Sequence, residues 1–388
     1  IAMGPIVGGW LLEHFSWASI FIAMAPVAAA AAVLVALAVP TSKYPDAAAL
    51  DIPGLVLSSA TMALLVFTII EAPDYGWAAR RSVAGFAASA VLLTAFIVRE
   101  RTAAHPMLDV RLFRNMRFSA ASAAVTVSFF TLLGFIFLMT QYFQFVRGYG
   151  PLAAGVRLLP VALSVGAGSV AGTQLAVRAG TKLIVTTGLV AMAVFYGWVA
   201  ATTSTTLSYG VIAAQMVLYG LGMGLTSAPA TESIRGAISR AKAGVGSAVN
   251  DSTRLIGGTL GVAVIGSIFA SVYGSRLTAT LPAGVPGRVA AIAHQSVGAA
   301  YVAAGKITAL GHPALGQALQ HASTNAFLRG LTIGALVAGG IAAAGAVLAV
   351  LFLPAQPARP ASPAADEAET AEGRRVAGTQ AHPAPAAR

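Results

Sequence analysis

Long runs of apolar residues alternate with short polar breaks along this chain of 388 residues. A helix needs about 20 apolar residues to cross a hydrocarbon core about 30 Å thick. The segments predicted to span a membrane are 1–13 (partial), 18–39, 52–71, 82–99, 118–146, 152–176, 182–202, 207–230, 245–271 and 326–353. These runs are continuous and do not alternate with polar residues, which excludes transmembrane strands. The pattern therefore predicts an all-α polytopic membrane protein with ten spans.

Two segments are not predicted to span. Residues 274–325 have Gly and Pro at both ends and are interpreted as a long external loop. Its moderately apolar stretch from Val289 to Ile307 is compatible with short amphipathic helices that lie on the bundle. Residues 354–388 are rich in Pro, Ala and charged residues and predict a disordered cytoplasmic tail.

Composition narrows the functional classes. Hydrophobic residues make up 57% of the chain and charged residues only 10%, which excludes an ordinary water-soluble fold. The net charge of +11 does not indicate a nucleic-acid partner, because the Lys and Arg residues are spread over short loops. The chain has no cysteine, its histidines lack metal-ligand spacing, and it has no phosphate-binding lysine motif. We therefore predict no catalytic residues, no metal and no bound cofactor.

The distribution of basic residues predicts the orientation of the spans. One set of alternate loops holds eleven Lys and Arg residues, namely Lys43, Arg99, Arg101, Arg111, Arg114, Arg117, Arg178, Lys182, Arg235, Arg240 and Lys242. The intervening short loops hold three, namely Arg80, Arg81 and Arg147. Because cytoplasmic loops carry the excess of positive charge, the first set is predicted to be cytoplasmic. The carboxyl terminus then also lies on the cytoplasmic side of a bacterial inner membrane.

Four sequence motifs occur in a characteristic order. They are G-P-I-V-G-G from Gly4 to Gly9, D-V-R-L-F-R-N-M-R-F from Asp109 to Phe118, the segment from Gln141 to Pro160, and the segment from Gly246 to Gly266. Together they resemble the fourteen-helix drug:proton antiporter branch of the major facilitator superfamily, the EmrB/QacA-like exporters. Two departures from that pattern are Ala18 and Met24, where the family usually has arginine and asparagine.

The resemblance implies an architecture. Residues 1–39 would end an amino-terminal six-helix half whose first four helices are missing, and residues 52–99 would be two inserted helices. Residues 118–353 would form the carboxyl-terminal six-helix half, with 274–325 as its external loop and 354–388 as the tail. The family exports toxic organic compounds in exchange for protons, so the expected partners are lipid, a small-molecule substrate and protons. The proton gradient would be the energy source, and the oligomeric state is not predicted.

The first motif suggests helix packing and, by resemblance, control of transport. Gly4 and Gly8 form a small-xxx-small face, and Pro5 removes a backbone donor and kinks the helix. With Gly9, these residues match the antiporter motif, which in the family biases transport toward export. Plain helix packing is the alternative role of the same residues.

Candidate substrate contacts cluster at the external end of the 118–146 span. Gln141, Tyr142 and Gln144 follow a Phe-rich stretch that includes Phe130. Amides and a phenol beside aromatic rings can bind planar or cationic compounds. The alternative is a polar belt at the membrane interface. Arg157 is a lone arginine within the next span, where it either snorkels outward or contacts a carbonyl or acid in the cavity.

The 245–271 span holds a polar cluster of Asn250, Asp251 and Arg254. Asp251 and Arg254 are three residues apart, so they share a helix face and can neutralise each other. We interpret them as gating or coupling candidates, with a hydrated interfacial position of Asp251 as the alternative. The glycines that follow, Gly257, Gly258 and Gly261, are predicted to pack against another helix.

Three other functional classes remain open. A specific exporter of an amino acid, siderophore or sugar would share this fold, and a non-transporting truncated membrane protein would share the composition. A membrane-embedded enzyme would need paired polar groups within the spans, and only Asp251 with Arg254 offers such a pair.

Overall fold

The structure, a computed structural model, describes residues 3–39, 51–103, 106, 108, 110–238 and 243–355. The amino-terminal segments are α1 (Met3–His14), α2 (Ala18–Ala38), α3 (Ile52–Tyr75) and α4 (Arg80–Thr102). A 3₁₀ turn, Val110–Arg114, leads into α5 (Met116–Gln141), which continues as a π-helical turn, Tyr142–Val146. The remaining helices are α6 (Pro151–Arg157), α7 (Leu159–Ala179), α8 (Thr181–Thr202), α9 (Tyr209–Arg235), α10 (Ala243–Thr280), α11 (Gly287–Gln295), α12 (Val297–Ala309) and α13 (Pro313–Phe352).

The described residues are helical throughout their regular structure and contain no strand. Nine helical segments in them are long and apolar enough to cross a membrane. They correspond to nine of the ten predicted spans. The tenth, 1–13, is the twelve-residue helix α1, which is shorter than a span. The predicted tail from residue 356 onward, and the loop residues Lys43, Arg240 and Lys242, lie outside the described part.

The fold is a bundle built around α5. Helices α8, α9, α10 and α13 surround it, and α7 lies along α9. Its centre is an aromatic cluster in which Phe135 stacks on Tyr219 at 5.1 Å between ring centroids and meets Phe195 edge to face at 5.6 Å. The Tyr196 hydroxyl donates a hydrogen bond of 2.6 Å to the Thr131 carbonyl. The buried Tyr196 hydroxyl is therefore satisfied by the backbone of a neighbouring helix, as a low-dielectric interior requires.

Helices α7 and α9 approach each other through glycines. A side-chain carbon at Gly224 would clash with the backbone of Gly168 and Ser169, and one at Gly172 would clash with the backbone of Leu225. The glycine runs 166–172 and 220–224 are thus helix-packing surfaces and not phosphate-binding loops.

Helices α3 and α4 pair with each other, and α3 packs on α10. Ser267 on α10 donates a hydrogen bond of 2.7 Å to the Ile69 carbonyl. At the other end of α3, Asp51 accepts hydrogen bonds from Gly54 N at 3.2 Å and from Arg99 Nη2 at 3.0 Å. Asp51 therefore caps α3 and fastens it to α4.

The segment 274–325 is largely helical, which corrects its interpretation as a loop. Helix α10 continues to Thr280, and α13, with 40 residues, begins at Pro313. At 1.5 Å per residue, α13 is about 60 Å long, twice the thickness of the hydrocarbon core. Hydropathy locates only the lipid-immersed part of such a helix, because the part that extends into water can be polar. Helices α11 and α12 lie between the two extensions, as the amphipathic stretch suggested.

Candidate functional site

Two of the recognised motifs contact each other. Helix α1 packs on α6, so the Gly4–Gly9 motif lies against the Gln141–Pro160 segment. A side-chain carbon at Gly155 would clash with the Pro5 carbonyl, and one at Gly9 would clash with the backbone of Leu152. Glu13 accepts a hydrogen bond of 3.2 Å from Leu152 N, at the start of α6. This contact joins the first motif to the third at backbone distance.

The close approach of α1 uses Gly9, whereas Gly4 and Gly8 were expected to supply the packing face. A side-chain carbon at Gly4 or Gly8 would meet no atom within 4 Å, whereas one at Gly9 would lie 2.7 Å from the Leu152 Cα. The reason is helical geometry, since Gly9 shares with Pro5 the face that points at α6. The transport role of the motif stays a prediction.

Of the predicted substrate residues, Gln141, Tyr142 and Gln144 lie in or beside the π-helical turn that ends α5, whereas Phe130 lies in the middle of α5. Tyr142 is 3% exposed, and its hydroxyl donates a hydrogen bond of 2.9 Å to the Ser204 carbonyl. Phe130 is 7% exposed, and its backbone lies against Gly261. Both side chains are therefore engaged in packing between helices. Gln141 and Gln144 are half-buried, and Gln141 reaches only the Phe137 carbonyl, at 3.4 Å. A substrate role for these residues remains untested.

Arg157 lies in a cluster of arginines and tyrosines at the same end of the bundle. Its guanidinium lies 4.0 Å from the Tyr149 ring centroid and donates a hydrogen bond of 3.0 Å to the Ala153 carbonyl. Arg147 donates to the carbonyls of Thr205 and Leu207 at 2.9 and 3.0 Å. It also donates to the Tyr149 hydroxyl, which lowers the pKa of that phenol. The Ala153 carbonyl belongs to the same helix as Arg157, so this contact tests neither of the two roles predicted for Arg157. Helix α6 ends at Arg157, and Pro160 is the second residue of α7.

The Asn250, Asp251 and Arg254 cluster is organised differently from the prediction. Arg254 Nη2 donates a hydrogen bond of 3.2 Å to Thr231 Oγ1, which in turn donates to Asn250 Oδ1 at 3.2 Å. Arg254 also lies 5.2 Å from the Phe129 ring centroid. Asp251 is exposed and forms no ion pair with any residue in the described ranges. The predicted Asp251–Arg254 neutralisation is therefore wrong. The two residues do not pair because the Arg254 side chain is directed to Thr231 on α9, whereas Asp251 is exposed.

Arg254 lines a polar cavity of about 270 Å³ between α7, α9 and α10. The wall is completed by Ser169, Thr173, Ser227, Ala228, Thr231 and Glu232. Arg254 Nε and Ser227 Oγ are buried and have no hydrogen-bond partner among the residues that the structure describes, so donors remain available at this cavity. Burying a polar group without a hydrogen bond raises the free energy of the fold, so these donors indicate a site for water or a ligand.

Sequence reasoning missed Thr231, Ser227 and Glu232. The available signal was their spacing, because Ser227 and Thr231 are four residues apart and share one face of α9. Glu232 follows at once, near the end of an otherwise uncharged span, and forms a weak ion pair of 3.9 Å with Arg235.

Three glycines on α10 allow this helix to pack closely against α5. Side chains at Gly257 and Gly261 would clash with the backbones of Thr126 and Phe130, and one at Gly258 would touch Leu133. This contact lets α10 approach closely enough for Arg254 to reach Phe129 on α5.

A family model described as Major Facilitator Superfamily matches residues 1–262. This chain belongs to the Major Facilitator Superfamily. It is therefore a multi-pass membrane protein of transporter type, and the all-α bundle described above is the fold of that family.

Named relatives are drug exporters of bacteria. The chain is 33% identical over 352 residues to the multidrug efflux pump LfrA of Mycolicibacterium smegmatis, covering 90% of the chain and 68% of LfrA. It is 31% identical to the tetracenomycin C resistance and export protein of Streptomyces glaucescens, covering 90% of the chain and 65% of that protein. It is 31% identical to the multidrug resistance protein Stp of Mycobacterium tuberculosis, covering 73% and 52%. The chain thus spans about half to two thirds of the length of these relatives.

Proposed function

We propose that this chain forms the carboxyl-terminal part of a proton-driven multidrug exporter of the fourteen-helix branch, in a bacterial inner membrane. The observation that carries the proposal is its similarity over 90% of its length to LfrA, a multidrug efflux pump. The contact between the Gly4–Gly9 motif and the start of α6 supports it, because that contact joins segments that the resemblance assigns to opposite halves. Transport would then proceed by rocking of the two halves around a central cavity.

In this proposal the cavity at Arg254 serves coupling. Its volume of about 270 Å³ is below the roughly 300–1,000 Å³ of drug-sized sites. Arg254 and Glu232 both line it, so a basic and an acidic side chain share one small cavity. Charged groups within a transporter bundle commonly mark ion pathways.

A second function is favoured by the same cavity. A guanidinium with an unpartnered Nε is a good partner for a carboxylate, which it can bind through two hydrogen bonds. An exporter of a small carboxylate-bearing metabolite, such as an amino acid, would use this site for its substrate.

A drug-efflux assay tests the proposal. The complete reading frame would be expressed in a pump-deficient bacterial strain, and ethidium accumulation would be followed with and without a protonophore. We expect lower accumulation than in cells with empty vector, and a return to the control level on addition of the protonophore.

Two outcomes would contradict the proposal in different ways. Unchanged ethidium accumulation despite confirmed membrane expression would count against drug export. Analysis of culture supernatants for exported metabolites would then separate a specific metabolite exporter from a protein that does not transport. Reduced accumulation that the protonophore leaves unaffected would remove the proton as the coupling ion.

A further inference from the structure

Two arginines on neighbouring helices face one groove at the surface of the bundle. The groove has a volume of about 370 Å³ and is lined by Ser271, Val272, Ser275, Arg276 and Ala279 on α10 and by Arg329 on α13. Both arginines are exposed. No carboxylate among the residues that the structure describes lies within 4.0 Å of either guanidinium. The groove therefore carries two positive charges that the protein itself does not neutralise.

Neighbouring contacts show the depth of this groove in the membrane. Gly330, next to Arg329, packs against Phe269, so Arg329 lies level with the end of the predicted 245–271 span. The Trp77 indole donates a hydrogen bond of 3.1 Å to Ser271, which lines the groove. Tryptophan is enriched at membrane–water interfaces, where its ring lies at the level of the lipid headgroups. The two arginines are thus placed at headgroup depth.

The surface next to the groove suits acyl chains. Seven residues on from Arg329, and so on the same face of α13, lies Leu336, which is 52% exposed. Val347 continues that exposed face at 57%. This face is positively charged at headgroup depth and apolar along the hydrocarbon. It is therefore complementary to a phospholipid, whose charged headgroup lies outside its acyl chains.

We propose that this groove binds an anionic phospholipid, with its phosphate between Arg276 and Arg329 and its acyl chains along the Leu336 face. Two guanidiniums and two serine hydroxyls supply donors for phosphate oxygens, and arginine binds phosphate through paired hydrogen bonds. The net positive lining favours an anionic headgroup over a zwitterionic one. Asp74 and His294 belong to the adjacent cavity and do not line this groove.

Lipid retention by the purified full-length protein tests this proposal. Detergent-solubilised protein would be titrated with phosphatidylglycerol or with phosphatidylcholine of the same acyl chains, and bound lipid would be counted by native mass spectrometry. We expect tighter binding of phosphatidylglycerol. We also expect its affinity to fall about fivefold in Arg276→Gln and in Arg329→Gln, the effect of about 1 kcal/mol per basic residue near a membrane surface.

Arg288→Gln is the matched control, because Arg288 is exposed on α11 and does not line the groove. It should bind phosphatidylglycerol as the wild type does. Arg276→Lys and Arg329→Lys keep the charge, so they should retain more lipid than the glutamine variants and remain informative if those variants fold poorly.

Three results would overturn the proposal. Equal affinity of the wild-type protein for the two lipids would show that the groove does not select an anionic headgroup. Unchanged binding in both glutamine variants would place the lipid elsewhere. An equal loss in Arg288→Gln would show a general effect of surface charge.

Discussion

Arg254 connects three helices through one side chain. It donates to Thr231 on α9, lies over Phe129 on α5 and extends from α10 into the polar cavity. We expect Arg254→Ala to lower ethidium export at least tenfold, since a hydrogen bond to a charged group contributes about 1.5–3 kcal/mol. Export rates in energised cells, normalised to membrane expression, measure the effect.

Two variants separate the possible causes of that loss. Arg254→Lys keeps the charge and should retain part of the activity. Asp251→Asn alters an exposed group that forms no ion pair with Arg254, so it should export at nearly the wild-type rate. Equal losses in Asp251→Asn and Arg254→Ala would restore the pairing that the sequence suggested and contradict the arrangement described above.

Asp51 makes stability depend on pH. Hydrogen bonding from Arg99 is the main reason that the pKa of Asp51 is lowered from its ordinary value of 3.8. A carboxyl whose pKa is lower in the folded state stabilises the fold above the unfolded pKa, and this contribution is lost as the pH falls through the folded pKa. Asp51→Asn should therefore unfold at a lower temperature than the wild type at pH 7. The difference should shrink as the pH falls below the ordinary pKa of 3.8 and through the lower pKa of the folded state.

Thermal unfolding of the purified protein at a series of pH values checks this expectation. Asn can still cap a helix, so the variant isolates the ion pair with Arg99 from the cap itself. A difference in unfolding temperature that stays constant as the pH falls far below 3.8 would contradict the role of the Asp51 charge.

At the scale of helices, hydropathy predicted most spans because a segment immersed in hydrocarbon must be apolar over its whole length. Helix α8, Thr181–Thr202, differs by one residue from the predicted 182–202. The extensions of α10 and α13 were missed because a helix outside the membrane need not be apolar. The partner of Arg254 was missed for another reason, since Thr231 is on a different helix and spacing within one helix cannot reveal it.

The α5–α10 contact depends on the absence of side chains. Gly261→Ala would place a carbon against the Phe130 backbone, so the two helices would have to separate. Overpacking of this kind costs about 1–3 kcal/mol, and the unfolding temperature should fall. Gly340→Ala on α13 is the control, because its added carbon meets no atom within 4 Å. There we expect an unchanged or slightly higher unfolding temperature, since Ala favours helix more than Gly does.

At the scale of the whole molecule, the contact between α1 and α6 offers a test of alternating access. By resemblance, α1 belongs to the amino-terminal half and α6 to the carboxyl-terminal half, so rocking of the halves would separate them. A side-chain carbon at Gly150 would lie 2.7 Å from Glu13 Oε1, so a short thiol cross-linker can join cysteines at the two positions. These 388 residues contain no cysteine, and any cysteine elsewhere in the complete reading frame would first be replaced by serine.

We expect cross-linking of Glu13→Cys with Gly150→Cys, in the complete reading frame, to abolish export of ethidium. A reductant that cleaves the cross-linker should restore it, and each single-cysteine variant should be unaffected by the reagent. The physical reason is that a covalent bond between the halves holds one arrangement of the bundle and prevents the exchange between outward and inward access on which transport depends. Full export after complete cross-linking, verified by mass spectrometry, would show that this contact stays closed throughout the cycle. The conformational change would then have to occur elsewhere in the bundle, and α1 and α6 would stay in contact throughout transport.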